Sequence, residues 1–362
     1  MTDKEYLVAL STFLPFGPVR LKLLLDYFGD SESVWKARSS ELLTIGLKSD
    51  IASKFIKHRS KFDLDAYFDS LSTLSIATVT KNESEYPQGL KEIDSAPFVL
   101  HVKGNIKKSD YESVAIVGTR SMSSYGRDVC SQFAGRLSES GLTIISGLAL
   151  GIDAVAHRSA LMADGRTIAV LASGLDTISP ITNISIADEI VKRDLGAVVS
   201  EYPLATPPLK GYFPHRNRLI SGLSKAVLVV EGRVKSGTIH TAHHAASQGK
   251  TVFAIPGNIN SPLTELPHYL IREGAKMAIS PADILQEFDT EFQVDREAVA
   301  NVLPSDETEQ VILELLSAQS MQVDEIIRET KLDTHFVTAK LTMMELKGLI
   351  KQMDEGVYGK RD

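Results

Sequence analysis

From Ser113 to Ile255 the chain alternates short apolar runs with helix-like segments, and this rhythm constrains the fold more than any other feature. Val114-Ala-Ile-Val-Gly118 reads as a buried strand, and the polar turn Thr119–Gly126 opens a helix over Arg127–Ser140. Leu142–Ile145 is the next strand, followed by Ser146–Asp153 and a helix to Ala163. Thr167–Leu171, Ala197–Ser200, Ala226–Val230 and Thr251–Ile255 continue the series, with a helix near Ser185–Arg193. Strands that are apolar throughout and separated by helices predict an α/β fold, a Rossmann-like doubly wound parallel sheet. In such a sheet the functional loops lie at the carboxyl ends of the strands.

Compared loop by loop, those ends are rich in Gly, hydroxyl groups and cations. Arg120 and Ser121 follow the first strand. Arg216 and Arg218 flank Asn217 in a loop leading into a helix. Lys235-Ser-Gly-Thr238 precedes another helix, with Arg233 close by. Free N–H groups at a helix N-terminus attract anions, and Arg adds bidentate donors. The convergence of Arg120, Arg216 and Lys235 on one sheet edge predicts a phosphate-binding surface.

The flanks differ. Residues 1–75 read as short helices joined by Gly-containing turns, a helical domain of the sterile-alpha-motif or helix-hairpin-helix kind. Its basic run Lys54, Lys57, His58, Arg59 and Lys61 is explained equally by a solvated helix face. Residues 76–289 hold the sheet, 290–305 read as a linker, and 306–362 as a C-terminal winged-helix domain. The third helix of that domain carries Lys340 and Lys347 beside Glu345, few cations for reading duplex DNA.

Composition narrows the function classes. The net charge of −7 argues against a diffuse polycation but leaves a local basic groove open. The single Cys130 excludes an internal disulfide and a Cys-based zinc site, so a reduced, cytoplasmic protein is expected. The Met1-Thr-Asp-Lys-Glu5 start lacks a signal peptide's basic region, and no apolar run approaches the ~20 residues of a membrane span. No dinucleotide fingerprint or Walker lysine follows the first strand. His240, His243 and His244 share a helix face, but Thr241 stands where a zinc protease needs Glu, so no metal is expected. Asp153 and His157 are either an acid–base pair four residues apart or a capping Asp beside an ordinary His. The competing reading is a Rossmann-like enzyme acting on a nucleotide or phosphorylated small molecule, of the phosphoribohydrolase type. That class wants a glutamate after the Gly-Thr, which the helix after Ser236-Gly-Thr238 lacks.

Several further blocks fall in order: Tyr86-Pro87, Ala115-Ile-Val-Gly-Thr-Arg120, Ser146-Gly-Leu-Ala-Leu-Gly-Ile-Asp153, Ser200-Glu-Tyr-Pro203, Phe213-Pro-His-Arg-Asn-Arg218, Lys235-Ser-Gly237 and Ala254-Ile-Pro-Gly257. On these the chain resembles the DNA processing protein A (DprA/Smf) family, from about Tyr86 to Asp283. The resemblance implies a recombination mediator that binds single-stranded DNA, protects incoming strands and helps load the RecA recombinase during natural transformation. It implies no chemistry on the DNA, no cofactor, and a homodimer formed through the Rossmann-like domain. Carried over residue by residue, the DNA contacts are Arg120, Ser121, Phe213, Arg216, Asn217, Lys235, Ser236, Gly237 and Thr238, with Arg218 in the same block. Phe213 is the one aromatic placed to stack on a base. The chain departs from the family pattern at Leu150, where Arg is frequent, and at Ser179, Leu266 and His268.

Overall fold

The computed structural model describes residues 2–292 and 307–360, apart from 331, 347, 348 and 355. The chain forms two compact units, Met1–Gln286 and Glu287–Asp362. The linker expected at 290–305 lies outside the described residues beyond 292, where the helix Pro281–Phe292 ends.

The first unit is built on one sheet. Its strands are β1 (Ala77–Thr80), β2 (Val99–Gly104), β3 (Ser113–Val117), β4 (Thr143–Ser146), β5 (Thr167–Val170), β6 (Gly196–Ser200), β7 (Ala226–Val229), β8 (Thr251–Ala254) and β9 (Lys276–Met277). Their spatial order is β1-β2-β6-β5-β4-β3-β7-β8-β9. From β6 to β9 all neighbours are parallel, while β1 and β2 add an antiparallel edge next to β6. Every residue of β3 to β7 is buried, because helices cover both faces. Alternate side chains serve opposite layers. Ile168 and Val170 pack with Leu219, Ile220 and Leu223 of the helix Tyr212–Leu223, whereas Ala169 packs with Leu161, Ile186 and Ile190.

The chain runs outward from β3 through β4, β5 and β6, then returns to the other side of β3 for β7 and β8. The carboxyl ends of β3 and β7 therefore flank the point where winding reverses, where such sheets leave a crevice.

The N-terminal helices close around Leu7, Leu10, Phe16, Leu24, Val34, Leu42 and Phe55, and Val99 of β2 joins that core. The basic run divides: Arg59 turns inward, whereas Lys54, Lys57, His58 and Lys61 line one open pocket with Phe62. Arg59 donates to the carbonyls of Trp35 and Ala37, Lys54 pairs with Asp50 at 3.5 Å, and His58 meets the Thr12 hydroxyl at 2.9 Å.

In the second unit the helices Glu307–Ala318, Val323–Thr330 and Thr334–Leu346 pack on a small sheet of Met321–Gln322, Ile350–Asp354 and Val357–Lys360. Ile312, Leu316, Ile326, Val337, Leu341 and Met344 form its core. Lys340 is tied to the buried Glu309 at 3.4 Å, and Lys347 lies outside the described residues. Among the described residues no single helix is long and apolar enough to cross a membrane.

Candidate nucleic-acid interface

Two loops at the reversal point are locked together by a buried carboxylate. Glu231, just past β7, accepts from the Ser123 backbone N–H at 2.9 Å and from its hydroxyl at 2.5 Å. The Ser123 hydroxyl in turn accepts from the Gly126 N–H at 3.0 Å and caps the next helix. That helix therefore spans Ser124–Glu139 and starts three residues earlier than the periodicity places it. Thr119 donates its N–H to the Glu231 carbonyl at 2.7 Å and accepts from Ile152 at 3.1 Å. Gly151 sits under this turn with φ +78°, and a Cβ there would lie 2.3 Å from the Thr119 carbonyl oxygen. Only glycine fits.

The latch holds Arg120 and Ser121 outward, both exposed. The Arg120 guanidinium lies 5.0 Å from the centre of the Phe213 ring, which is half-buried. This is cation–π range. Across the crevice, Thr238 donates its hydroxyl to the Gly118 carbonyl at 3.1 Å, and Asn217 donates to the Gly237 carbonyl at 3.2 Å. Arg120, Phe213, Asn217, Gly237 and Thr238 are thus gathered at one edge.

The helix Thr238–Ser247 begins there with no side-chain cap. The N–H groups of Gly237 and Thr238 have no acceptor among the described residues, and the Ser236 hydroxyl oxygen is buried without a partner. Arg120, Arg233 and Lys235 are exposed and have no acidic partner among the described residues. Free N–H groups and unneutralised cations make a surface suited to oxyanions.

Arg216 and Arg218 require correction. They lie in the helix Tyr212–Leu223, not in a loop before it; Pro214 is tolerated because its missing N–H falls in the first turn. Arg216 is only 3% exposed. Its guanidinium donates to the carbonyls of Gly147 at 2.7 Å and of Val170, sits 6.0 Å from the Phe213 ring centre, and is lowered to about 10, chiefly by burial. It is a strut beneath the crevice rather than a cation on its surface. Arg218 is paired with the half-buried Glu201 and lines a different cavity.

Asp153 and His157 do not pair with each other. Asp153 accepts from the N–H groups of Gly147 and Ala149, at 3.2 and 3.4 Å, and burial raises its carboxyl above the usual range. His157 bonds the Thr167 hydroxyl at 2.6 Å, and burial lowers it to about 3. Since Thr167 donates to the Ile144 carbonyl, the network assigns the His157 proton to Nδ1. Among the described residues no group of three His, Cys, Asp or Glu is placed to hold a metal ion.

Sequence reasoning assigned no role to Glu231, Glu201, Tyr202 or Tyr212. The signal for Glu231 was its place, an acidic residue directly after a fully apolar strand in an otherwise cationic turn.

A sequence profile described as DNA recombination-mediator protein A matches residues 77–289, and one described as DprA winged helix domain matches residues 296–356. Protein Smf of Synechocystis is 32% identical, covering 99% of both chains. The X-ray structure of DNA processing protein A from Streptococcus pneumoniae is 34% identical, with a TM-score of 0.67 over 79% of this chain and 98% of that one. A structure reporting the single-stranded DNA binding mode of DNA processing protein A from Helicobacter pylori is 28% identical, with a TM-score of 0.54 over 61% and 98%.

Proposed function

The chain belongs to the DNA recombination-mediator protein A family, and from that premise we propose that the β3–β7 crevice binds single-stranded DNA. Arg120, Ser121, Lys235, Ser236, Gly237 and Thr238 meet phosphates, and Phe213 stacks on a base. Arg216 and Asn217 act from beneath, by holding Phe213 and Gly237 in place. The observation that carries this reading is the cluster of exposed cations without acidic partners around an uncapped helix start. The Helicobacter relative's single-strand binding supports it.

We also propose that the protein does no chemistry on the strand, since Asp153, His157 and Glu231 are each engaged within the fold. As a cytoplasmic mediator it would protect incoming strands and help load RecA in natural transformation, as a homodimer joined through the sheet domain. The helical segment 1–75 is proposed as a module of its own, ahead of the sheet domain 76–289.

The test is a titration of single- and double-stranded oligonucleotides across salt. Log affinity for single strands should fall with log salt, by about 0.7 per phosphate contact. Absence of single-strand binding at low salt removes the proposal. Release of ribose phosphate from nucleoside monophosphates would establish the enzymatic reading in its place.

A further inference from the structure

Lys54, Lys57, His58 and Lys61 follow the spacing i, i+3, i+4, i+7, which puts them on one side of the helix Ser49–Arg59 and the turn after it. Lys57 and Lys61 are exposed with no acidic partner among the described residues. Lys54 has only a solvated pair with Asp50 at 3.5 Å, which contributes little. None of the residues lining the pocket they form with Phe62 is acidic. A helix C-terminus attracts a cation in its last turn, which accounts for Lys57 but not for Lys54 a turn earlier. Like charges at these spacings repel, so the face favours a polyanion.

Beside the lysines stand aromatic rings. His58 and Phe62 stack, ring centres 5.3 Å apart and planes 28° from parallel, and Tyr67 lies 5.3 Å from Phe62. These three rings line a second cleft, of about 520 Å³, whose other wall is formed by Asp176 and Leu204 in the loops after β5 and β6. Asp176 is the one carboxylate lining it, and its oxygens accept from the Ala205 N–H at 3.1 and 2.9 Å. Cations that follow phosphates beside rings that stack on bases are the means by which single strands are held without reading sequence.

The surface is continuous with the crevice. His58 and Phe62 line both the lysine pocket and the second cleft. Leu14 lines the second cleft and a third, of about 220 Å³, which reaches Tyr212, the chain neighbour of Phe213. The carboxyl ends of β3, β5 and β6 share one edge of the sheet, because the strands from β3 to β6 are parallel. We propose that the lysine face and Phe62 hold a second length of the single strand bound in the crevice, so that one strand crosses from the sheet domain onto the N-terminal helices. This rests on the crevice binding proposed above. Lys54, Lys57 and Lys61 meet its phosphates, and His58 and Phe62 offer a ring to its bases.

The test uses the full chain and two oligothymidylates, of about 6 and about 20 nucleotides, one near the smallest single-strand sites and one beyond the largest. Calorimetry with strand in excess, across salt, should show the longer strand bound more tightly and with the steeper slope. Lys57→Gln with Lys61→Gln should flatten the slope on the longer strand by about 0.7 per lysine and weaken it by on the order of tenfold at about 50 mM salt. The shorter strand should bind this variant as it binds the parent. Lys22→Gln with Lys192→Gln removes the same charge from two exposed lysines that line none of these clefts, and should change neither strand. An unchanged slope and affinity on the longer strand overturn the inference. So does an equal loss in the control variant or on the shorter strand. If the shorter strand fails to bind the parent at low salt, the crevice reading falls, and the lysine face is judged separately, by parent against variant on the longer strand.

Discussion

Two arginines on the same aromatic ring do opposite work. Arg120 stands in water over the Phe213 ring, and Arg216 lies below the same ring with its donors on two strand-end carbonyls. Burying a guanidinium is tolerable only while its hydrogen bonds are made. Arg216→Ala should therefore cost about 3 kcal/mol in urea unfolding. Arg120→Ala should stay within about 0.5 kcal/mol of the parent, yet lower single-strand affinity and flatten the salt slope by about 0.7. If Arg120→Ala instead changed base preference at an unchanged slope, its phosphate role would be wrong. The sequence made these two residues look alike, because residue type does not say which way a side chain turns.

At the scale of elements, the crevice depends on a latch between the turn after β3 and the end of β7. Ser123 and Glu231 are 108 residues apart and make two hydrogen bonds. Gly126 permits this: a Cβ there would lie 2.2 Å from Glu231 Oε2. Gly126→Ala should push the carboxylate away, destabilise the fold by about 1–3 kcal/mol, and weaken strand binding by releasing the turn that carries Arg120. Parallel denaturation and binding curves check this, and a variant as stable and as tight as the parent would show that the latch is dispensable. The strands and helices themselves were legible, since each buried strand is a continuous apolar run. Their ends were less so. The first helix spans Asp3–Ser11, its start set by a Thr2 capping box that the apolar pattern does not reveal.

For the whole molecule, two buried histidines link folding to pH. Burial lowers His101 to about 4 and His157 to about 3, against about 6.5 in an unfolded chain. Below pH 6.5 the unfolded state takes up protons that the folded state refuses, so this contribution is present above 6.5 and is lost as pH falls toward 4. Each histidine contributes on the order of 3 kcal/mol across that window. Asp153 and Glu201 act in the opposite sense, because burial raises both. The comparison that isolates the histidine is His157→Asn against the parent, in urea unfolding at pH 7, 6 and 5. The variant's stability should change less steeply with pH, whatever its absolute level. Equal slopes would mean that His157 is not held neutral.

The sequence by itself determined the layered sheet, the order of its loops and the family, because short-range patterns of apolar and turn residues carry that information. It also named the loops that meet at the reversal point. Only the tertiary structure decided which cations remain in water. Arg216 finds its acceptors 69 and 46 residues away, and Arg218 finds Glu201 17 residues away, on a cleft also lined by the N-terminal helices. Burial is set by such distant partners, and local pattern does not contain them. The group expected to grip phosphate thus divides into an outer set that can meet an oxyanion and an inner set that holds the crevice open.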